Sequence, residues 1–354
     1  MQMGRTMKHF DYSFIKREYF PTSITNYIAI IERNRGKIFI SEESYPELFS
    51  ELEKIARVDS VKGSNAIEGI VTTDERIKSI VSGKSTPSNH TEKEIAGYRD
   101  ALNLIHEHYE NISIDEDTIK EIHALMMGPS MTEDAGEYKK DDNIISEEHT
   151  DGSRSVTFAP PPATETAELM EQLIIAFKEA QQDSNINNLI LIPCFIVDYL
   201  CIHPFLDGNG RISRLLTLLL FYKNGYTAGR YISFEKKINN SRQAYYAALR
   251  KCSDMWYDET PDYIPFIEFT LKMLSECYED VGMRYEIQST SKLTKSERIR
   301  QYLLNSIVPL SKRDLCEVLP DISQTTIELE LAKMQKDGLL QKLGRGRSTR
   351  YLKK

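Results

Sequence analysis

Ile202-His203-Pro204-Phe205-Leu206-Asp207-Gly208-Asn209-Gly210-Arg211, with Arg214 three residues on, is the stretch whose reading decides the fold. It gathers an imidazole, a carboxylate, two glycines, an amide and two guanidinium groups, and an apolar run from Leu215 to Phe221 follows. That pattern describes a polar loop opening a buried helix. The first N–H groups of a helix have no intrahelical acceptor and attract anions. Glycines let a phosphate approach the backbone. Arg211 and Arg214 share one helical face, and two guanidinium forks there can hold a polyphosphate. Asp207 offers an oxygen donor of the kind that Mg²⁺ accepts alongside phosphates. His203 stands just outside this cradle, where a general base is wanted. Asp-Gly-Asn-Gly alone is an ordinary turn. The histidine, phenylalanine and spaced arginines around it favour a functional site.

The stretch resembles the Fic family pattern, His-Pro-Phe-x-Asp/Glu-Gly-Asn-Gly-Arg-x-x-Arg, at every fixed position. The resemblance implies a protein adenylyltransferase that moves AMP from ATP to a Ser, Thr or Tyr hydroxyl of a target protein, itself included. It implies that His203 deprotonates the hydroxyl and that Asp207 holds Mg²⁺. Gly208, Asn209, Gly210 and Arg211 would cradle the α- and β-phosphates, and Arg214 would grip the γ-phosphate. A second motif, Ser64-Asn65-Ala66-Ile67-Glu68-Gly69, is similar to the family's inhibitory signature, Ser/Thr-x-x-x-Glu-Gly/Asn. Ser64 and Glu68 are four apart, so both project from one face of a short helix. The family implies that Glu68 pairs with Arg214 and displaces the γ-phosphate. A carboxylate–guanidinium bond then competes with a phosphate–guanidinium bond. The motif's place ahead of the core resembles the family class whose inhibitory helix is N-terminal.

The expected fold is mainly α: a Fic-type helical core with a small β-hairpin flap, plus a C-terminal winged helix-turn-helix-like domain. Three parts are expected: 1–90, carrying the inhibitory helix; 91–284, the catalytic core; and 292–354. Apolar periodicity places helices at Ile24–Glu32 and Tyr45–Val58, then near Thr91–Tyr109, Asp115–Met127, Ala163–Gln182, Leu189–Cys201, Arg211–Asn224, Ser241–Lys251 and Tyr263–Tyr278. Asp115 reads as an N-cap, and Pro193 as a first-turn proline. Leu189–Cys201 and Leu215–Phe221 are apolar nearly all round, as in central buried helices.

Between the helices, Asp142–Ser146 and Arg154–Ala159 flank a turn signal at Asp151-Gly152, and Pro160, Pro161 and Pro162 end the second segment. A surface hairpin fits. In the Fic family a flap here (142–159) presents the target segment by strand addition, which uses main-chain hydrogen bonds. The preceding Gly136-Glu137-Tyr138-Lys139 also resembles the family, with Lys139 where arginine is commoner. Arg242-Gln243-Ala244-Tyr245-Tyr246 is similar to a helix lining the family's nucleotide pocket, which makes Tyr246 the candidate for the base, with Ser253. Aromatics at helical spacing are otherwise core.

The 354-residue chain is 40% hydrophobic, enough for a sizeable core. No apolar run reaches the length of a membrane span, and Met1–Ile15 lacks the apolar stretch of a secretory signal. Five scattered cysteines without a CxxC pair read as free thiols in a reducing cytoplasm. Net charge is −8, yet Lys292–Lys354 carries fourteen basic against seven acidic residues, +7, leaving −15 elsewhere. The asymmetry points to a C-terminal module with its own partner. Its helix–helix–helix–hairpin order resembles a winged helix, and the wing tip Gly344-Arg345-Gly346-Arg347 could meet phosphate. Against DNA stand Glu328, Glu330 and Asp337 on the reading helix. The alternatives are a DNA-binding regulator that senses nucleotide, or a Fic enzyme that uses another donor or removes AMP. A homodimer fits the family resemblance.

Overall fold

The computed structural model describes residues 8–130, 133–148, 154–257, 261–289, 294–306, 308–344, 346 and 349–354. The fold is mainly α. After a 3₁₀ turn at Ser13–Lys16 come α1 (Thr22–Ser44), α2 (Pro46–Ile67), α3 (Asp74–Val81), α4 (His90–His108) and α5 (Glu116–Met127). A hairpin of β1 (Ile145–Glu148) and β2 (Arg154–Phe158) precedes α6 (Thr166–Gln182), α7 (Asn188–Ile202), α8 (Asn209–Lys223), α9 (Phe234–Asn240), α10 (Arg242–Asp254) and α11 (Ile264–Ser289). The chain ends with α12 (Lys295–Asn305), α13 (Lys312–Val318), α14 (Gln324–Lys336), β3 (Leu340–Leu343) and β4 (Arg350–Lys353).

One continuous hydrophobic core runs from Phe10 to Val281, so α1–α3 pack into the same interior as the later helices. Helices α7 and α8 form its centre, as their all-round apolar character predicts, and nearly all their side chains are buried. Asp115 caps α5 by accepting the Thr118 N–H at 2.8 Å. Asp198 is the buried polar knot of α7: it accepts Tyr12 Oη and Trp256 Nε1, each at 2.7 Å, and Tyr263 Oη at 2.9 Å. Those donors satisfy a carboxylate whose burial lifts its pKa to about 6. Pro193 corrects an expectation. It lies inside α7, in the second turn, because the helix begins at Asn188 under an Asn187 cap. Its missing N–H therefore costs the helix a bond that a first-turn proline would not.

Several helical features escaped the sequence reading, among them the run of α1 past Glu32 to Ser44 and of α11 past Tyr278 to Ser289. Helix α2 does not stop at Val58; it continues through Ile67, so the Ser64–Glu68 motif is the carboxyl end of a 22-residue helix and not a short helix. Helices α3 and α9 are too short to show a clear period, and their caps, Thr73 and Ser233, define them instead. The flap strands pair antiparallel, Ser146 opposite Val156, with an irregularity at Ile145/Ser146. The Asp151-Gly152 turn and the wing-tip arginines Arg345 and Arg347 lie outside the described residues.

The C-terminal helices and hairpin enclose a second hydrophobic cluster built on Ile299, Leu315, Ile327 and Leu331. Leu310 makes an isolated antiparallel bridge to Tyr351 beside the two-stranded β3–β4 hairpin. The cluster meets the rest of the chain where α12 packs on α11 and at Lys236, near the start of α9. Its ammonium binds Asp59 of α2 at 2.9 Å and Glu317 of α13 at 3.1 Å. Among the described residues, no helix is long and apolar enough to cross a membrane. Cys194, Cys201, Cys252, Cys277 and Cys316 are free thiols.

Helix α2 lies against α9 at Gly63, where a Cβ would come within 2.8 Å of Lys236 N and 2.9 Å of the Glu235 carbonyl carbon. In an open helix interior Gly→Ala gains about 1 kcal/mol. Here the new methyl meets backbone that cannot give, and overpacking costs about 1–3 kcal/mol. Gly63→Ala is expected to lower the thermal midpoint; a midpoint at or above that of the wild type would show that α2 can lift from α9 without loss.

Candidate active site

The loop between α7 and α8 is held by its carbonyls. Lys139 Nζ donates to Ile202 O at 3.1 Å, and the Lys139 N–H donates to Pro204 O at 2.8 Å. Asn143 Nδ2 donates to Phe205 O at 3.3 Å, and His123 Nε2 reaches Asp207 O at 3.0 Å. His123 Nδ1 accepts the Gly136 N–H, which fixes Nε2 as the protonated nitrogen. The His123 ring stacks on Phe205 with centroids 3.8 Å apart. With its carbonyls turned into these partners, the loop directs amides toward the opening of α8. The intrahelical ladder begins at Ile212 N–H on Gly208 O. The amides of Asn209, Gly210 and Arg211 therefore lie ahead of it, as an anion site requires.

His203 caps α7 in the left-handed region (φ 51°, ψ 61°) and is the one non-glycine residue with positive φ among the described residues. A left-handed conformation costs roughly 1–2 kcal/mol for an ordinary residue, and such strain gathers at functional sites. Its Nδ1 lies 3.3 Å from Leu200 O. A carbonyl only accepts, so Nδ1 carries the proton and the Nε2 lone pair is left for chemistry. Burial pushes the imidazole down to about 4, with the Lys139 ammonium adding to the effect, so the ring is neutral near pH 7.

The residues singled out in the sequence do come together. Gly208 starts α8 with φ 81°, and a Cβ there would meet Met126 Cε at 2.9 Å. The Asn209 side chain is spent on the loop itself: it accepts the Phe205 N–H at 3.0 Å and donates to Phe205 O at 2.8 Å. Only its backbone amide is left for an anion. Arg211 is 2% exposed, with Nη1 2.8 Å from Glu94 Oε2 and Nη2 3.7 Å from Asp207 Oδ2. The Glu94 contact is not in hydrogen-bond geometry, and Arg211 Nη1 has no hydrogen-bond partner. Nη1 is thus held by charge attraction to Glu94 rather than by a well-aligned hydrogen bond. Asp207 keeps its carboxylate 61% exposed at the mouth, with Oδ1 accepting the Gly208 N–H. No cluster of three or more His, Cys, Asp or Glu that could hold a metal occurs among the described residues. The donor set therefore fits Mg²⁺ only as one carboxylate shared with a bound polyphosphate, the arrangement this ion favours.

Arg214, also 2% exposed, is engaged through Nε and Nη2 by the end of α2. Its Nε donates to Ser64 Oγ at 2.8 Å, and Nη2 donates to Ser64 O at 3.0 Å and Glu68 Oε1 at 2.8 Å. Burial opposes this charge, but Glu68 and the nearby Tyr245 and Tyr98 raise the guanidinium pKa above its ordinary value. Helix α2 ends at Glu68 with Gly69 N–H on Ala66 O and Ile70 N–H on Asn65 O, a Schellman closure. The closure leaves the Glu68 carboxylate over the start of α8. A Cβ at Gly210 would run into it. Glu68 thus stands where the α8 amides and Arg214 would meet an anion.

Tyr246 lies on the rim, 39% exposed, with its hydroxyl 3.5 Å from Ile67 O, next to Glu68. Ser253, on the same helix, bonds Arg250 O at 3.0 Å. Lys139 is buried, and its bonds to Ile202 O and Asn143 Oδ1 give it a structural place that needs no planar fork. His123, Asn143 and Glu94 were not found from sequence. His123 falls in the apolar rhythm of α5 beside Ile119, Ile122 and Met126, where it reads as core.

Residues 113–221 match the Fic/DOC family, a span reaching from just before α5 into α8. A curated relative, "Protein adenylyltransferase Fic" of Nematostella vectensis, is 28% identical over 282 residues, which cover 77% of this chain and 58% of the relative. The chain thus spans little more than half that relative's length. Among solved structures, a Fic family protein from Desulfovibrio desulfuricans G20 superposes with a TM-score of 0.61 at 21% identity, covering 95% of this chain and 97% of its own. A Fic domain containing signaling protein from Bacteroides thetaiotaomicron VPI-5482 gives 0.57 at 21% identity, over 70% and 94%. Fic-1 (residues 134–508) from C. elegans gives 0.52 at 20%, over 75% and 74%. At these identities the structures establish a shared fold.

The His203 environment is testable directly. A free imidazole titrates near 6.5, and the folded one near 4. Between those values the unfolded chain binds the extra proton. The stability that neutral His203 contributes is present above pH 6.5 and lost as pH falls through 4. Titration of its ring protons by NMR is expected to give a midpoint near 4. A midpoint near 6.5 would refute the enclosed, neutral imidazole.

Proposed function

We propose, from the premise that this chain is a Fic-family protein, that it transfers AMP from ATP to a hydroxyl side chain of a target protein, with Glu68 as its built-in inhibitor. The observation that carries the reading is the neutral His203, its Nε2 free, beside a helix start whose first amides have no intrahelical acceptor. In this mechanism His203 Nε2 takes the proton of the incoming hydroxyl. The oxygen forms a bond to the α-phosphorus as the bond to the β-phosphate oxygen breaks, and pyrophosphate departs. The amides of Asn209 and Gly210, with the Arg211 guanidinium, hold the phosphates and meet the charge that develops. Asp207 would hold Mg²⁺, which supplies neutralisation of the polyphosphate charge. Arg214 is the γ-phosphate grip. Positioning and electrostatics then supply most of the rate, as in phosphoryl transfer.

The flap is the place for the target segment. Val156 of β2 and Ile144 just before β1 are exposed apolar side chains beside main chain that can pair with an added strand. Tyr246 is offered as a wall for the base.

Inhibition follows from occupancy. While Glu68 holds Arg214, a γ-phosphate cannot take the same N–H groups, and ATP binds without its orienting grip. Helix α2 sets this competition, because Ser64 and Glu68 grip one guanidinium from successive turns.

Wild type, Glu68→Gly and Glu68→Gly/His203→Ala are to be incubated with Mg²⁺ and α-labelled ATP, and AMP on protein read by mass spectrometry. Labelling is expected to be weak on wild type and strong on Glu68→Gly. Loss of the base should then reduce it roughly 10²–10⁴-fold. Equal labelling of wild type and Glu68→Gly would dismiss the inhibitor role. No label on any of the three, with ATP binding confirmed, would dismiss AMP transfer.

A further inference from the structure

We infer that the exposed side of α14, together with strands β3 and β4, is a docking surface for duplex DNA. In the sequence, Glu328, Glu330 and Asp337 make the would-be reading helix look acidic. The structure gives each of the module's seven acids a partner. Glu297 and Asp314 close capping boxes with Thr294 and Ser311. Asp321 takes a two-pronged contact from Arg298 at 2.7 and 2.9 Å. Glu330 is buried against Arg300, which also reaches Asp337 at 3.3 Å. Glu328 is held by Lys312 at 2.8 Å and Gln324 at 2.9 Å. Glu317 faces the other way, toward Arg313 and Lys236 of the core.

The bases consumed in these pairs come mostly from α12 and α13. Lys333 and Lys336 on α14, Lys342 on β3, and Arg350 and Lys353 on β4 remain exposed. Among the described residues, the bases left outside these ion pairs thus lie mostly on α14 and on strands β3 and β4. Glu317 docks α13 on the catalytic core, while Leu329 of α14 is 69% exposed. Thr325, Leu329 and Ala332 are exposed along α14. A helix of this width enters a major groove, where such small and apolar side chains meet thymine methyl groups and flanking lysines meet phosphates. The −15 carried by the rest of the chain repels DNA elsewhere and favours approach through this face.

The test uses the full chain, a fluorescent 25-base-pair mixed-sequence duplex, and anisotropy titrations at several salt concentrations. If four of the basic side chains meet phosphates, log K falls with log salt at a slope of about −3.6, and affinity drops roughly 150-fold between 50 and 200 mM. Lys333→Ala/Lys336→Ala, both exposed and outside the proposed catalytic machinery, should make that slope shallower by about 2. Absence of binding at 50 mM salt would overturn the inference. So would a slope that the double variant leaves unmoved, or tighter capture of single-stranded RNA of equal length.

Discussion

Helix α8 begins inside an apolar interior and carries unbonded amides and two guanidinium groups there, and that positive end has to be answered. A buried cation left alone costs several kcal/mol, so partners are arranged around it from separate elements. Arg211 stands against Glu94 of α4, and Arg214 against Ser64 and Glu68 of α2. Behind them Glu235, fully buried at the start of α9, accepts Tyr98 Oη at 3.1 Å. Burial raises the Glu235 pKa, and the nearby Arg214 draws it back. The packing of α2 and α4 on α8 is therefore an electrostatic requirement as much as a hydrophobic one.

The same demand explains the loop ahead of α8. A connection buried beside a cationic helix start needs its carbonyls satisfied without crowding the site. Lys139, Asn143 and His123 supply those bonds from outside, and Asn209 supplies two from within. What is left facing the opening is a neutral imidazole, an exposed carboxylate and a row of amides. In the proposed reading these are base, metal ligand and phosphate cradle. The strained backbone of His203 is tolerated because the partners on both sides over-determine it.

Helix α2, part of the main core, is linked to the second cluster by way of Lys236 of α9. Its carboxyl end reaches Arg214, and Asp59, earlier on the same helix, meets Lys236, which also binds Glu317 of the C-terminal module. Gly63 lies between these contacts and permits the close approach to α9. The side chains that engage Arg214 and Lys236 thus belong to one helix.

By itself the sequence determined the helical class, the two central helices, the cap at Asp115, the hairpins and the cluster from His203 to Arg214. These are local: apolar period, capping chemistry and the crowding of functional groups in twelve positions need no long-range partner to be read. Pairing of Glu68 with Arg214 was legible only through family resemblance, since 146 residues separate the two. Tertiary structure alone decided the rest. It placed His123, Asn143 and Glu94 against the loop and assigned the Asn209 side chain to Phe205. It also extended α2 past Val58, because burial on α8 and α9 continues a helix whose own period fades. And it turned the acids of α14 toward Arg300 and Lys312. A linear pattern gives the charge a helix carries. Only packing shows which of those charges remain for solvent or a partner, because ion pairing depends on distance in space.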